Sequence, residues 1–303
     1  MSAKLTNYLI KIDGFFGINN IITQKITKKN IQQYFTESSL GYTMFHSKRG
    51  SVHFAISEDG IFRKSDYNKQ INLISQFLTK NESKLNVLEI GSGKGYNTGN
   101  LAKSYPNSNF YGLELTPSFL KQAQHSYKDC NNAMFVEGDF HEIPFGDNTF
   151  DYVFEIEAMC YANNMETVIK EIHRVLRPNG VFVSFDGFRN NNFESFSDEL
   201  KTACKLVEIS MAVECGFEID KWISIAQSVG LSTVECKDIS NQIMPNLQRF
   251  ENMANKFLES HFLKHISHFL PNYFVNNVIA GLLIAVTVEN KAQGYYKIVS
   301  KKN

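Results

Sequence analysis

The stretch 87-VLEIGSGKGYNTG-99 decides the fold. It begins as a short apolar run of strand type, passes through glycines at 91, 93 and 95, and leads into an amphipathic segment from Tyr96 to Ser104. A strand that enters a glycine turn and opens a helix is the first unit of a parallel sheet wrapped by helices. In such an open sheet, ligands bind beyond the carboxyl ends of the strands, where strand order reverses, and the turn after the first strand lies there.

Outward from that turn the alternation continues. NVLEI (86–90) and NFYGLEL (109–115) are the first two strands, joined by the helix from Tyr96 to Ser104. Thr116 and Pro117 supply an N-cap and a first helical residue for a helix reaching about His125. AMFVEGD (133–139), FDYVFEI (150–156) and GVFVSFD (180–186) are strands three to five. Between the last two, a helix from Met165 to Leu176 puts Val168, Ile169, Ile172, Val175 and Leu176 on one face, and Pro178-Asn179-Gly180 ends it. After Asp186 the rhythm breaks, and residues 187–215 read as a helical cap around Leu200 to Met211. A helix from Glu218 to Val229 and a strand from Leu231 to Lys237 restore the alternation. A second cap region, about 245–290, holds a helix from Leu247 to Phe269 and the apolar run VIAGLLIAVTV (278–288); YYKIVSK (295–301) is the last strand. Residues 1–80 read as a helical, aromatic arm outside the sheet, and 81–303 as the ligand-binding domain.

Composition narrows the partners. In 303 residues, Lys+Arg and Asp+Glu are both 31, so no polyanion is implied and a nucleic-acid partner is not expected. Cys130, Cys160, Cys204, Cys215 and Cys236 contain no C-x-x-C pair, which argues against structural zinc and a disulfide framework and fits a reducing, cytoplasmic setting. Lys11 and Asp13 interrupt the N-terminal apolar patch, so no secretory signal is expected. The apolar run is about half the ~20 residues of a bilayer span, so no transmembrane segment is expected either. His261, His265 and His268 have helical-face spacing, but with no cysteine or acid in register they read as a solvated face and no metal is assigned.

The ligand is selected by small features in order. A dinucleotide fingerprint places its third glycine one residue later, where this chain has Tyr96. Glu89 just before the loop is an awkward neighbour for a diphosphate and a reasonable one for an ammonium. A ligand with a nucleoside at one end and a zwitterionic amino acid at the other suits both features. Glu114, at the second strand's end, can accept hydrogen bonds from both ribose hydroxyls, as it would for NAD. In 137-EGDFHEIPF-145, Asp139 can accept from an adenine amino group while Phe140 covers the ring.

On these residues the chain resembles class I S-adenosylmethionine-dependent methyltransferases, through VLEIGSGKG, YGLEL, EGDFHEIPFGDNTFDYVFEIEA and RVLRPNGVFVSFD. The resemblance implies an α/β, Rossmann-like, doubly wound seven-stranded sheet, mostly parallel with an antiparallel last strand. It implies S-adenosyl-L-methionine as cofactor, with Gly91, Ser92, Gly93 and Gly95 shaping the methionine end near Glu89. Glu114 would hold the ribose, Leu115 would pack on the adenine, and Asp139 with Phe140 would bind its edge and face. EAMCYA (157–162) and SVHFAI (51–56) are similar to segments of the branch that methylates sterols, tocopherols, prenyl diphosphates and natural products. In that branch the acid matching Glu157 faces substrate, and an aromatic N-terminal region covers the pocket. Where some O-methylating relatives carry histidines, this chain has Cys160 and Tyr161.

The expected activity is methyl transfer to a small, mostly apolar acceptor, isoprenoid-like or another specialised metabolite, at carbon or oxygen. An alkene acceptor needs no base before attack; Glu157 and aromatic faces would stabilise the resulting cation, and Glu157 or Tyr161 would then remove a proton. For a hydroxyl acceptor, His53 is the candidate base. The alternatives are a small-amine N-methyltransferase, an NAD(P)-dependent oxidoreductase and a donor-binding scaffold without catalysis. A homodimer is allowed, and the arm could cover its own pocket or a neighbour's.

Overall fold

The structure is a computed structural model and describes residues 3–47, 50–78, 84–260, 265 and 267–303. Among the described residues, seven strands form one sheet: β1 (Asn86–Ile90), β2 (Asn109–Glu114), β3 (Ala133–Glu137), β4 (Phe150–Ile156), β5 (Leu176–Arg189), β6 (Leu231–Asp238) and β7 (Gln293–Lys302). Their order across the sheet is β3-β2-β1-β4-β5-β7-β6. The pairs from β3 through β5 are parallel, and β7 runs antiparallel to both β5 and β6. The chain leaves β1 for β2 on one side and returns to β4 on the other, so strand order reverses between β1 and β4. The glycine turn of residues 91–95 stands at that point.

Helices α1 (Ala3–Phe16), α2 (Ile18–Ile22), α3 (Lys28–Gly41) and α4 (Lys69–Leu78) precede the sheet. α5 (Tyr96–Ser104), α6 (Pro117–Ser126), α7 (Met165–Val175) and α9 (Ile219–Val229) alternate with its strands. α8 (Asp198–Ser210), α10 (Ser240–Glu259) and α11 (Asn272–Glu289) belong to the cap regions. The amphipathic pattern of α7 does what its spacing implies: Val168, Ile169, Ile172 and Val175 are fully covered, beside Phe182 of β5 and Trp222 of α9. Each such side chain contributes about 1.5–3 kcal/mol through burial.

A second core lies outside the sheet. Leu5, Tyr8 and Ile12 of α1 and Tyr34 of α3 share it with Leu206 and Ile209 of α8, and with Ile279, Leu282, Leu283 and Val286 of α11. The N-terminal arm therefore packs on the cap of its own chain, and arm and cap form one helical layer beyond the strand tips.

Several boundaries differ from the sequence reading, and β5 itself begins at Leu176, four residues before the expected Gly180. β5 continues three residues past Asp186, because β7 pairs with it as far as Arg189, so the first cap begins later than 187. α10 starts at Ser240, seven residues before the expected Leu247, and carries Pro245 inside it; Ile243, Asn246, Leu247 and Phe250 on its inner face hold it together. It ends at Glu259, and His261 lies outside the described residues. The apolar run is the core of an 18-residue helix, α11, which is long and apolar enough by composition to cross a membrane. In this fold α11 packs against α10, α8 and α3.

Candidate active site

Register fixes which strand tips are level. Ile90 pairs with Leu113, Glu114 with Glu137, and Ile156 with Phe185. Gly91, Glu114 and Glu157 therefore stand side by side or one step apart along the carboxyl edge. Gly91 has φ +70°, and a Cβ there would lie 2.4 Å from the Ala158 Cβ, so the loop after β1 and the turn after β4 touch only because residue 91 is glycine. Gly95 has φ +79° and starts α5.

Glu114 is buried, and both its oxygens are held: Oε2 accepts from the Gly93 amide and Oε1 from the Thr116 amide, each at 2.7 Å. Burial raises its pKa, and these amides oppose the rise. A carboxylate has about four lone-pair positions, so capacity remains for a diol on the cavity side. At the end of β3, Asp139 Oδ1 accepts from the His141 amide (3.0 Å) and ring Nδ1 (2.6 Å), and Oδ2 is 3.1 Å from Lys28 Nζ of α3. The His141 hydrogen bonds hold its carboxyl far below the usual range. Gln32 of α3 donates to the Leu115 carbonyl at 3.0 Å, so the arm reaches directly over the residues expected at the nucleoside end.

The tip of β4 is strained and acidic. Glu157 has φ +55°, a left-handed conformation that a glutamate rarely takes. Its Oε1 accepts from the Phe54 amide (2.7 Å) and from the Tyr295 hydroxyl (2.8 Å), which ties SVHFAI to EAMCYA. Burial pushes Glu157 up to about 8. Below it, Glu155 accepts from the Ala158 and Met159 amides and the Ser184 hydroxyl, and Asp186 accepts from the Cys160 and Gly187 amides. Burial raises both of these carboxyls, Asp186 to about 6. Together they fix the backbone of the turn that presents Glu157 and Tyr161.

Between the strand tips and the helical layer lies a cavity of about 790 Å³. Gly91, Gly93, Glu114, Leu115, Asp139, Phe140, Glu157 and Tyr161 line it. Glu89, Ser92, Gly95 and His53 do not. Glu89 is fully buried and points toward the start of α5, where Asn97 and the Thr98 amide and hydroxyl donate to it; burial pushes it up to about 7. These bonds hold the loop-to-helix turn, and Glu89 itself stands off the cavity wall. Gly95 packs against Ala123 and Phe135. His53 is buried behind the wall with Nδ1 against the Phe54 carbonyl at 3.0 Å, and burial pushes it down to about 4. Burial thus favours its neutral form, and it stands off the cavity wall.

The rest of the wall comes from residues the sequence reading did not single out. Tyr34 and its neighbour Phe35 of α3, then Ser38, Tyr42 and His46 at steps of three or four, line the cavity, as do Phe250, Phe257, Phe274 and Val278 of α10 and α11. That helical spacing of aromatic residues was the available signal. The five cysteines are free, and among the described residues no cluster could hold a metal ion.

Residues 88–184 match the family model described as "Methyltransferase domain". The chain is 36% identical over 113 residues to "Sterol methyltransferase-like 3" of Botryococcus braunii, covering 36% of this chain and 29% of that protein. It is 30% identical over 164 residues to "24-methylenesterol C-methyltransferase 2" of Arabidopsis thaliana, covering 51% of this chain and 44% of the relative. The matches thus span less than half the length of these relatives. Among solved structures, a cyclopropane synthase from Mycobacterium tuberculosis superposes with a TM-score of 0.74 at 13% identity, covering 92% of this chain and 100% of the other. The fold is the Rossmann-like sheet of such enzymes.

Proposed function

We propose that this chain, which carries a methyltransferase domain in its central third and resembles small-molecule methyltransferases of class I, transfers a methyl group from S-adenosylmethionine to a small, mostly apolar acceptor. The observation that carries this reading is the single cavity onto which the glycine loop, Glu114, Asp139 and Glu157 all open beneath an apolar helical lid. The residues fit the donor: Gly91 and Gly93 leave the loop without side chains on the cavity side, Glu114 retains acceptor capacity for a ribose diol, and Phe140 lies beside Asp139 for a base. When bound, the donor supplies a methyl group already activated on a sulfonium. The protein's remaining work is orientation, exclusion of water and charge.

The acceptor half supports an apolar substrate with a neutral head. Two lining cations are engaged: Lys28 with Asp139, and Arg189 with Glu208 through two contacts of 2.8 and 2.5 Å. Lys256 is exposed at the rim. Among the described residues a prenyl diphosphate would find little to neutralise it, which favours sterol-like or terpenoid acceptors. For an alkene acceptor, the faces of Tyr34, Phe35, Tyr42 and Tyr161 and an ionised Glu157 would stabilise the developing cation. Glu157 then accepts the departing proton. With His53 off the cavity wall, a hydroxyl acceptor would depend on Glu157 as base before attack, whereas an alkene needs none at that stage, which favours carbon as the methylated atom.

The experiment is labelled S-adenosylmethionine offered with a panel of unsaturated sterols, terpenoid alcohols, prenyl diphosphates, phenols and amines. Label entering the apolar neutral acceptors alone is the expected result. Label entering amines alone would replace this reading with the N-methyltransferase.

A further inference from the structure

Among the polar groups that line the cavity, one short hydrogen-bonded line runs between α3 and α11, on the helical side away from the strand tips. Tyr34 and Ser38 lie a turn apart on α3, Tyr42 follows at the next turn, and Asn277 comes from α11; all four line the cavity. The Tyr34 hydroxyl donates to Asn277 Oδ1 at 3.0 Å, and Asn277 Nδ2 donates to Ser38 Oγ at 2.8 Å. The phenol oxygens of Tyr34 and Tyr42 are 2.7 Å apart.

A phenol has one hydrogen. That of Tyr34 is committed to Asn277, so the hydrogen between the two phenols belongs to Tyr42. The line therefore runs one way, from Tyr42 to Tyr34 to Asn277 to Ser38, and its open end is the lone pairs of the Tyr42 oxygen. Burial pushes both phenols well above their usual range, so Tyr42 stays neutral and offers acceptance of a hydrogen bond. Successive bonds pointing the same way strengthen one another.

Resting on the methyltransferase reading, we infer that the acceptor molecule carries a free hydroxyl and donates it to the Tyr42 oxygen, with Tyr34 and Asn277 setting the polarity that selects it. An acceptor-only head such as an ether, ketone or diphosphate would have to take the Tyr42 hydrogen. Two buried phenol oxygens would then face each other at 2.7 Å with no proton between them. Sites built to receive a hydroxyl reject analogues that cannot donate, and a factor of about 10 or more is expected here.

The test is ligand binding, which does not depend on turnover. Farnesol and a free 3-hydroxy sterol are compared with their methyl ethers by calorimetry, with S-adenosylhomocysteine binding measured on the same samples. Each alcohol should bind at least about tenfold tighter than its ether. Tyr42→Phe should remove the alcohol's advantage and leave the ether's affinity in place. Asn277→Leu frees the Tyr34 hydrogen to turn toward Tyr42, so that Tyr42 can donate into the cavity; the ether should gain relative to the alcohol. A purely structural role would not shift that ratio. Equal binding of alcohol and ether, no binding of either alcohol, or a preference that survives in both variants while they melt like the parent would overturn the inference. Loss of S-adenosylhomocysteine binding would instead count against the methyltransferase reading alone.

Discussion

At the scale of single residues, Glu157 carries the sharpest consequences. With its carboxyl pushed up to about 8 by burial, it is mostly neutral at pH 7 and can neither offset a cation nor accept a proton until it ionises. A cationic sulfonium nearby favours the charged form. Binding of S-adenosylmethionine should therefore release a proton near neutral pH, and binding of uncharged S-adenosylhomocysteine should release less; calorimetry in buffers of different ionisation enthalpy reads the difference. Turnover should rise with pH toward 8, and Glu157→Gln should flatten that profile and lower kcat by about 100-fold or more while donor binding persists. Stability follows the same proton. A folded-state pKa raised above the ordinary carboxyl value of 4.5 gives a contribution fully present below that value and lost as pH climbs through about 8. Denaturant unfolding between pH 5 and 9 should show part of that decline disappear in Glu157→Gln; Glu89 and Asp186 retain declines of the same sign. Gly91→Ala places a Cβ 2.4 Å from Ala158 at φ +70°, so the loop must shift, and affinity for S-adenosylhomocysteine should fall at least about tenfold.

At the scale of elements, α3 joins the two halves of the cavity. Lys28 and Gln32 near its start touch Asp139 and the Leu115 carbonyl, while Tyr34, Phe35 and Ser38 line the cavity farther along the helix. Lys94, from the glycine loop, reaches the Ser39 carbonyl and Thr43 hydroxyl, both at 3.4 Å, and lies over the Phe119 ring. Lys28 is more than half exposed, so Lys28→Met should change unfolding free energy by less than about 1 kcal/mol. It should nonetheless accelerate S-adenosylhomocysteine dissociation in stopped flow, because one tie between lid and nucleoside end is gone; an unchanged rate would assign the pair to the surface. These links explain what could be read in advance. The glycine loop, Glu114, Asp139 and Glu157 follow local strand and turn signals, and each stands where a strand ends. Tyr34 meets Asn277 across 243 residues of chain, and no local periodicity reports such a contact. That Glu89 and His53 stand off the cavity was not legible for a related reason: alternation along a strand or loop cannot say whether a buried polar group faces the cavity or the helix behind it. Pro245 sits inside α10, where tertiary packing outweighs its local tendency to end a helix.

At the scale of the whole molecule, a sheet of strand order β3-β2-β1-β4-β5-β7-β6 supplies the donor edge, and an arm and cap with their own apolar core supply the roof. The sheet was legible because its strands are short, evenly spaced and separated by helices of clear period. The roof was legible only as helical and aromatic, because its arrangement depends on contacts between the two ends of the chain. A ligand bound between the layers should hold them together: at 100 times its Kd, S-adenosylhomocysteine should add about 2.7 kcal/mol to unfolding free energy. The most direct measurement is a calorimetric titration of the folded chain with S-adenosylhomocysteine, with NADH run in parallel. The account predicts saturable one-to-one binding of S-adenosylhomocysteine, weakened by Glu114→Ala, and none of NADH; tight binding of NADH with no response to S-adenosylhomocysteine would contradict it.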